Sequence, residues 1–554
     1  MKIMAMTKEP NRSTGTDCYE VRHVQQGDYF DIILLGFLFL FALGLRLIRL
    51  FDLDLNFDET ILLLIAKSSY REIIDICKLD NFAPLYPWLV KSWITISSDA
   101  HWHRLLGAIL GSLTPPLAFI LGRELYDRRL GRLLGIATSL SVPLVFFSQM
   151  VRMYNIQPFW VCLSLLAFIK ALQTNRWRYW LLIAFANLVG YYMYFFMVFV
   201  FFAEFFILCL RFKTHLKRYL RPFVSQLPYF FGVVLWFVPT LGRVTQVEGE
   251  FWVPPLSWEG LGGVWLFMGI GSDFRDHYAL AFLLNMPFLA GFLLALPVVI
   301  RNEKLRIVLI IYGLVIAFFV GVSILGQSFF SNGYLYFLTP LYLIIVIAGW
   351  LSMRNRFLRN AGVTLIMTVL FLSLAYYYID YYYMHDYYGF LRPIPQAEKG
   401  EGHNLSGMAL DVSERLGDKE VIIHYSDPYL RVCSYYASLY YHSRSLPEHI
   451  YSKEEIAQHN GRQYLLPGEW IRSLNDLKPL PKGIWMISLN NTELFFDEAI
   501  LRGEKRPKWV HEENLPLELR QAGFVPVETI KRGKVSAIHY RRETDKPAEN
   551  AVEP

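Results

Sequence analysis

Apolar runs long enough to cross a bilayer recur along the first two-thirds of this chain, and no soluble core could absorb them. They fall at about 30–50, 104–122, 131–148, 156–173, 179–193, 196–210, 226–242, 278–300, 306–325, 334–351 and 360–380. A hydrocarbon core about 30 Å thick asks for roughly twenty apolar residues per helix, so the runs predict about eleven membrane helices. The stretch from Tyr179 to Leu210 is too long for one span and divides near Met193-Tyr194-Phe195. Charged residues are only 18% of the 554 while Phe, Tyr and Trp reach 16%, the balance of a polytopic membrane protein. The first run, Ile32 to Leu50, is long enough to stay in the membrane and is not read as a cleaved signal.

The positions of the cations explain the net charge of +6 without a nucleic-acid partner. Arg123, Arg128, Arg129 and Arg132 share one connection, Arg176 and Arg178 another, and Arg211, Lys213, Lys217, Arg218 and Arg221 a third. Arg301, Lys304 and Arg306 fill a fourth, and Arg354, Arg356 and Arg359 a fifth. All five lie on one side of the expected bundle, which the positive-inside rule makes cytoplasmic. The short connections of the other side, about 149–155, 194–195 and 326–333, carry only Arg152. Residues 1–28 then form a cytoplasmic segment, and the protein is expected to be multi-pass in a plasma (inner) membrane.

Two outer loops are longer than simple connections. The first, 51–103, holds a helical pattern at Ile61–Tyr70 and an aromatic stretch from Pro84 to Trp93, read as helices lying in the outer interface. The second, 243–277, holds Glu248-Gly-Glu250-Phe-Trp252-Val-Pro254-Pro255. The expected membrane domain ends near 383, and soluble composition follows. Met408–Leu416 patterns as a helix, Val421–Tyr425, Ile484–Leu489 and Phe524–Ile530 as strands, and Ser536–Arg541 as an antiparallel edge. Residues 384–543 are therefore predicted to be a small α/β domain, placed outside by an odd number of spans, with 544–554 a disordered tail.

Ionisable residues collect at the outer helix ends: Asp58 and Glu59 beyond the first run, Arg104 opening the second, Ser148 to Tyr154 with Arg152 between the third and fourth, and Arg243 after the seventh. Carboxylates there can take a proton from an attacking hydroxyl or amine. Arginines match phosphate oxygens with paired donors. Gathered in one pocket, Asp58, Glu59, Arg104, Arg152, Tyr154 and Arg243 would suit displacement at a carbon whose leaving group is a phosphate. Plainer readings stand beside this one: Asp58 and Glu59 as helix caps, Arg104 and Arg152 as snorkelling interface residues. Glu204, inside an apolar run, reads as a helix–helix hydrogen-bonding group. His101 and His103 read as interfacial. Asp52-Leu-Asp54 reads as a polar helix exit and not a metal site, the five cysteines show no pairing or metal spacing, and no dinucleotide, haem or iron–sulfur signal is present.

Several of these segments, in order and at their spacing, resemble the GT-C glycosyltransferases of the superfamily that holds the protein O-mannosyltransferases and the lipid A aminoarabinose transferases. Arg46 with Asp58-Glu59 is similar to that family's first loop. Pro84-Leu85-Tyr86-Pro87-Trp88 resembles its Pro-Pro-Leu-Tyr-Tyr stretch, and Arg104 to Gly107 with Leu121-Gly122 its Arg-Leu-Pro helix and following glycine. Ser148 to Tyr154 resembles its Ser…Arg-x-Tyr loop, and Phe251-Trp252-Val-Pro254 its Phe-Trp-Ile-Pro segment. The chain departs from the family at Phe82-Ala83, Met150, Met193-Tyr194-Phe195 and Gly333-Tyr334. The resemblance, which covers about 30–350, implies a GT-C-like membrane domain. It further implies an enzyme that takes a sugar from a polyprenyl-phosphate donor to a lipid, glycan or protein acceptor on the outer face, with inversion; from the residues themselves no divalent metal is expected. It implies the role of base for Asp58, and donor-phosphate contacts for Arg152 and Tyr154. A transporter or flippase of a lipid-linked sugar, and a non-catalytic scaffold, are the competing classes. A transporter of this size would show interrupted helices in matching halves, which the runs do not.

Overall fold

The computed structural model describes residues 5–7, 20–22, 26–52, 55–80, 82–97, 99–212, 220–244, 253, 255–271, 278–326, 328–379, 404–426, 428–442, 445–453, 469–489, 515–532 and 535–543. The segment Glu248–Trp252, Pro254 and the 544–554 tail lie outside the described residues. Two short strands, β1 (Ala5–Thr7) and β2 (Glu20–Arg22), pair antiparallel ahead of the first membrane helix, α1 (Gln26–Leu47). The segment expected to be the first outer loop carries α2 (Phe57–Lys67), α3 (Tyr70–Asp80) and α4 (Leu85–Ile94), and α5 (Ala100–Gly111) and α6 (Thr114–Leu125) follow. The expected helix at Ile61–Tyr70 begins earlier because Asn56 caps it, and stops at Ser68, whose backbone is extended.

Eight helical stretches among the described residues are long and apolar enough to cross a membrane: Tyr29–Leu47, Trp102–Leu125, Met153–Thr174, Arg221–Thr240, Ala279–Arg301, Glu303–Leu325, Asn332–Leu351 and Arg356–Ile379. A ninth is the pair α7 (Arg128–Leu140) and α8 (Val142–Ser148), bent by 53°. Ser141 is extended at the bend, and Pro143 sits in the first turn of α8, where its missing N–H costs nothing but where α7 cannot continue through it. The two further expected runs are helical but short: α9 (Gln157–Thr174) is followed by α10 (Trp177–Met193, 17 residues) and α11 (Met197–Phe212, 16 residues). They are separated at Tyr194, whose N–H closes α10 on Gly190 O.

The bundle continues with α12 (Leu220–Ser225), α13 (Leu227–Val244), α14 (Trp258–Ile270), α15 (Tyr278–Arg301), α16 (Glu303–Leu325), α17 (Asn332–Leu335), α18 (Thr339–Leu351) and α19 (Arg356–Ile379). The helix α14, inside the segment expected to be the second outer loop, was not legible as one. Four glycines interrupt its periodicity, yet Ser257 caps its start and Gly271, at φ +75, closes its end. One end of the bundle is tied by Glu124 to Lys170 and Lys304, Asp31 to Arg123 and Arg128, and Arg211 to Glu303. That end holds residues of the basic connections. Large apolar side chains such as Ile33, Leu40, Phe231, Leu283 and Phe371 face outward, as lipid contact requires.

The C-terminal part is α20 (Leu405–Arg415), β3 (Glu420–His424), α21 (Pro428–His442), β4 (Glu448–Tyr451), β5 (Trp470–Ile471), β6 (Gly483–Leu489), α22 (Leu515–Gln521), β7 (Phe524–Arg532) and β8 (Val535–Arg542). The sheet order is β5-β4-β3-β6-β8-β7, parallel as far as β6 and antiparallel after it. Ser536–Arg541 was expected at an edge, and the structure corrects this: β8 lies between β6 and β7, with Val535, Ala537 and Tyr540 buried. The edge on this side of the sheet is β7, where Pro526 has no N–H to offer a neighbour and a bulge follows. The helix α21 lies between this sheet and the membrane domain, its Val432, Tyr435 and Tyr436 meeting Ile61 and Leu64 of α2.

Candidate functional site

The first turn of α2 sets the site. Asn56 Oδ1 accepts the Glu59 N–H at 2.9 Å, and Glu59 Oε2 accepts the Asn56 N–H at 2.9 Å, a reciprocal capping box. Arg104 of α5 grips the same carboxylate with both faces of its fork, Nε to Oε1 at 3.0 Å and Nη2 to Oε2 at 2.7 Å. The Val151 N–H reaches Oε1 at 2.9 Å. Glu59 thus joins α2, α5 and the loop after α8 through one buried carboxylate. Both oxygens are occupied and Glu59 is fully buried, as is Arg104 at 4% exposure. The expected roles were a catalytic carboxylate and a phosphate-binding guanidinium; the structure places the two as a buried pair that fastens α2 to α5.

Asp58 is turned away from this pair, and its side chain is 22% exposed. Arg152 Nη2 lies 3.2 Å from Asp58 Oδ2 and 3.2 Å from the Tyr154 hydroxyl, and Nη1 donates to the Asp58 carbonyl at 3.3 Å. The Nε–H of Arg152 is buried with no acceptor among the described residues. A buried donor without a partner is costly, and an anion placed there would satisfy it. The Tyr154 ring stands edge-on to Tyr194 at 5.1 Å and to Phe147 at 5.4 Å, and Tyr336 stacks at a tilt on Phe147 at 4.1 Å. The cationic site therefore has an aromatic wall.

The loop that carries Arg152 is held from beneath. A Cβ on Gly107 would lie 2.5 Å from Met150 O and 2.8 Å from Ser148 O, so α5 can receive this loop only with glycine at that position. Asn155 Nδ2 donates to the Tyr86 hydroxyl at 2.7 Å, and Gln149 Nε2 to Arg46 O at 2.9 Å and Ile48 O at 2.8 Å. Tyr377 donates to Gln149 Oε1 at 2.5 Å, which ties in the end of α19. Arg46 itself is buried between α1 and α8, with Nη1 on Ala42 O at 3.0 Å, and makes no ion pair with Asp58 or Glu59. Asn155, Gln149 and Gly107 were not singled out from sequence for these contacts. Their signal, polar or small residues beside the loop arginine, is no different from that of many helix ends. Arg243 falls in the last turn of α13, and its side chain lies outside the described residues, as does that of His101. Glu204 is buried with Ser164 at 2.8 Å and Asn187 at 2.9 Å, on three helices, as a hydrogen-bonding group between α9, α10 and α11.

A second polar cluster lies in the sheet domain. Ser434 Oγ is 2.6 Å from His424 Nδ1, His424 Nε2 is 3.6 Å from Glu448 Oε2, and His442 Nε2 is 2.8 Å from Glu448 Oε1. The order hydroxyl, imidazole, carboxylate is that of a nucleophile relay, but all four side chains are buried, and the contacts lock α21 onto β3 and β4. Burial alone would raise the Glu448 carboxyl; hydrogen bonds and charge from His424 and His442 outweigh it and hold the group at about 2.

The fold is of the GT-C class. The family described as dolichyl-phosphate-mannose-protein mannosyltransferase matches residues 81–242. The fold is that of the crystal structure of ArnT from Cupriavidus metallidurans in the apo state, with TM-score 0.56 and 12% identity over 93% of this chain and 98% of that one. The structure of the same protein bound to undecaprenyl phosphate gives TM-score 0.53 and 11% identity over 92% and 97%. No curated protein sequence matches the chain significantly. The chain has the GT-C fold, and it resembles the group that holds the protein O-mannosyltransferases and the lipid A aminoarabinose transferases.

Proposed function

We propose that this protein transfers a sugar from a polyprenyl-phosphate carrier to a lipid, glycan or protein acceptor at the outer face of a plasma membrane, with inversion at the anomeric carbon. The observation that carries the reading is the partly exposed Asp58 carboxylate 3.2 Å from Arg152 Nη2, on a guanidinium whose Nε–H has no acceptor among the described residues. Asp58 takes the proton of the acceptor hydroxyl or amine. The freed electron pair forms the new bond to the anomeric carbon, and the bond from that carbon to the phosphate oxygen breaks on the opposite face. The phosphate leaves on the carrier with its charge met by Arg152 and the Tyr154 hydroxyl. A phosphate on Arg152 competes with Asp58 for the same fork, so donor binding would release the carboxylate at the moment a base is needed. The ArnT structure with undecaprenyl phosphate supports a lipid carrier of that kind.

The test is purified protein in detergent, without an ion gradient, given polyprenyl-phosphate-linked sugars extracted from membranes. Release of free polyprenyl phosphate with a new covalent glycoside supports the transferase. Movement of an intact lipid-linked sugar in vesicles with no new product would favour a flippase. Because Arg152 supplies the charge for the leaving phosphate in this reading, EDTA is expected to leave the rate unchanged.

A further inference from the structure

The membrane domain and the sheet domain meet at two tyrosines whose hydroxyls reach the chain on either side of the Asp58 site. Leu55, buried just before the cap of α2, donates its backbone N–H to the Tyr441 hydroxyl at 2.8 Å. Tyr440 is also buried, among Leu62, Leu63, Tyr86, Leu106 and Val151 of the membrane domain. Its hydroxyl lies 2.7 Å from His103 Nδ1, while His103 Nε2 lies 3.1 Å from the Ser97 carbonyl. A carbonyl only accepts, so Nε2 carries the proton, Nδ1 is the acceptor, and Tyr440 donates. His103 adjoins Arg104, which grips Glu59, which adjoins Asp58. At the far end of α2, Lys67 Nζ stands 5.0 Å over the Tyr440 ring. Between these points Ile61 and Leu64 pack on Val432, Tyr435 and Tyr436.

We propose that α21 of the soluble domain is a brace for the outer site: Tyr441 and Tyr440 fix the backbone entering α2 and the start of α5, and so the place of the Asp58 carboxylate. The proposal rests on the reading of Asp58 as the base. Tyr440, Tyr441 and His103 are positioning residues; none touches the reacting groups. The soluble domain then has a part in turnover beyond whatever its outer face binds. Misplacement of a reacting group by about 1 Å can cost on the order of a hundredfold in rate, so loss of one brace contact is expected to cost about tenfold. Donor affinity should be spared, because Arg152 and Tyr154 stand on a loop whose own hydrogen bonds remain.

The experiment uses the full chain in detergent, polyprenyl-phosphate-linked sugar as the probe, and hydrogen exchange of residues 55–60 alongside the rate. Tyr441→Phe should lower kcat about tenfold, leave KM for the donor within about twofold, and speed exchange at the Leu55 amide. Tyr440→Phe and His103→Leu should each lower kcat, the double variant no further than the worse single one, while His103→Gln, which keeps an acceptor, should retain the rate. Unchanged kcat in Tyr441→Phe with unchanged exchange, a loss confined to KM, or additive losses in the pair would overturn the brace. Asp58→Asn separates this from the underlying reading. If Asp58→Asn is inactive and the tyrosine variants turn over normally, the brace fails alone; if Asp58→Asn turns over normally, the site itself is wrong.

Discussion

Asp58 and Glu59 are neighbours with opposite fates, because successive residues on a helix point about 100° apart. One turn of α2 sends Glu59 into the interior against Arg104 and leaves Asp58 on the wet side against Arg152. Their substitutions should therefore fail in different ways. Asp58→Asn keeps shape and removes the proposed base, and should lower the rate of polyprenyl phosphate release by about 10²–10⁴-fold with the melting temperature kept. Glu59→Gln leaves Arg104 buried and uncompensated, a loss of about 3–5 kcal/mol that should appear as reduced melting temperature and yield. An inactive but fully stable Glu59→Gln beside an active Asp58→Asn would reverse the assignment. That the acidic pair and the loop arginine would lie together was legible in the sequence. The resemblance alone singled out Asp58; the residues by themselves did not say which carboxylate would be buried, because that depends on where α2 begins, and the cap at Asn56 sets that frame.

Among the elements, the loop from Ser148 to Tyr154 depends most on its neighbours. Its position follows from the bend at Ser141, which turns α8 by 53° relative to α7, and from Gly107 beneath it. The run 131–148 shows its apolar length plainly in the sequence, but a bend needs Pro143 to be read together with an extended Ser141, and the run itself looks continuous. Gly107→Ala puts a methyl where Met150 O already stands, and the backbone of the loop must move. The expected result is a raised KM for donor, several-fold or more, with kcat less affected, since Arg152 moves and Asp58 does not. Normal donor affinity in Gly107→Ala would show that the loop does not hold the phosphate. The C-terminal strands were legible in the same partial way. Val421–Tyr425 and Ile484–Leu489 announce themselves as apolar runs, whereas α21 carries serines and tyrosines on the faces that meet the sheet and α2, and its periodicity is masked.

At the scale of the molecule, the sheet domain is fastened to its own helix by charge and to the membrane domain by tyrosines. Glu448 is held at about 2 in the folded chain against an ordinary value of 4.5. A carboxyl so lowered contributes stability that is fully present above about 4.5 and is lost as the pH falls toward 2. Unfolding of the full chain followed by hydrogen exchange in β4 should show Glu448→Gln to be less protected than wild type at neutral pH. The difference should shrink steadily below pH 4.5. A difference that does not vary with pH would mean that packing, and not the carboxylate with His424 and His442, carries the contribution.

The two ends of the bundle differ in charge in a way that bears on orientation. Glu124, Lys170, Lys304, Asp31, Arg123 and Arg128 are joined at one end, and Asp58, Arg152 and the sheet domain stand at the other. Cations retained on one side of a membrane are cytoplasmic, so the Asp58 end is expected outside. Trp258, 88% exposed at the start of α14, and Arg354, exposed between α18 and α19, are suited to report on the two sides. In a variant from which the five native cysteines are removed, Trp258→Cys in intact cells should react with a membrane-impermeant thiol reagent. Arg354→Cys should react only after the membrane is opened. The reverse pattern would place Asp58 in the cytoplasm and require a donor on the inner leaflet; labelling of both without opening would break the count of spans that puts the carboxylate and the sheet domain on one side.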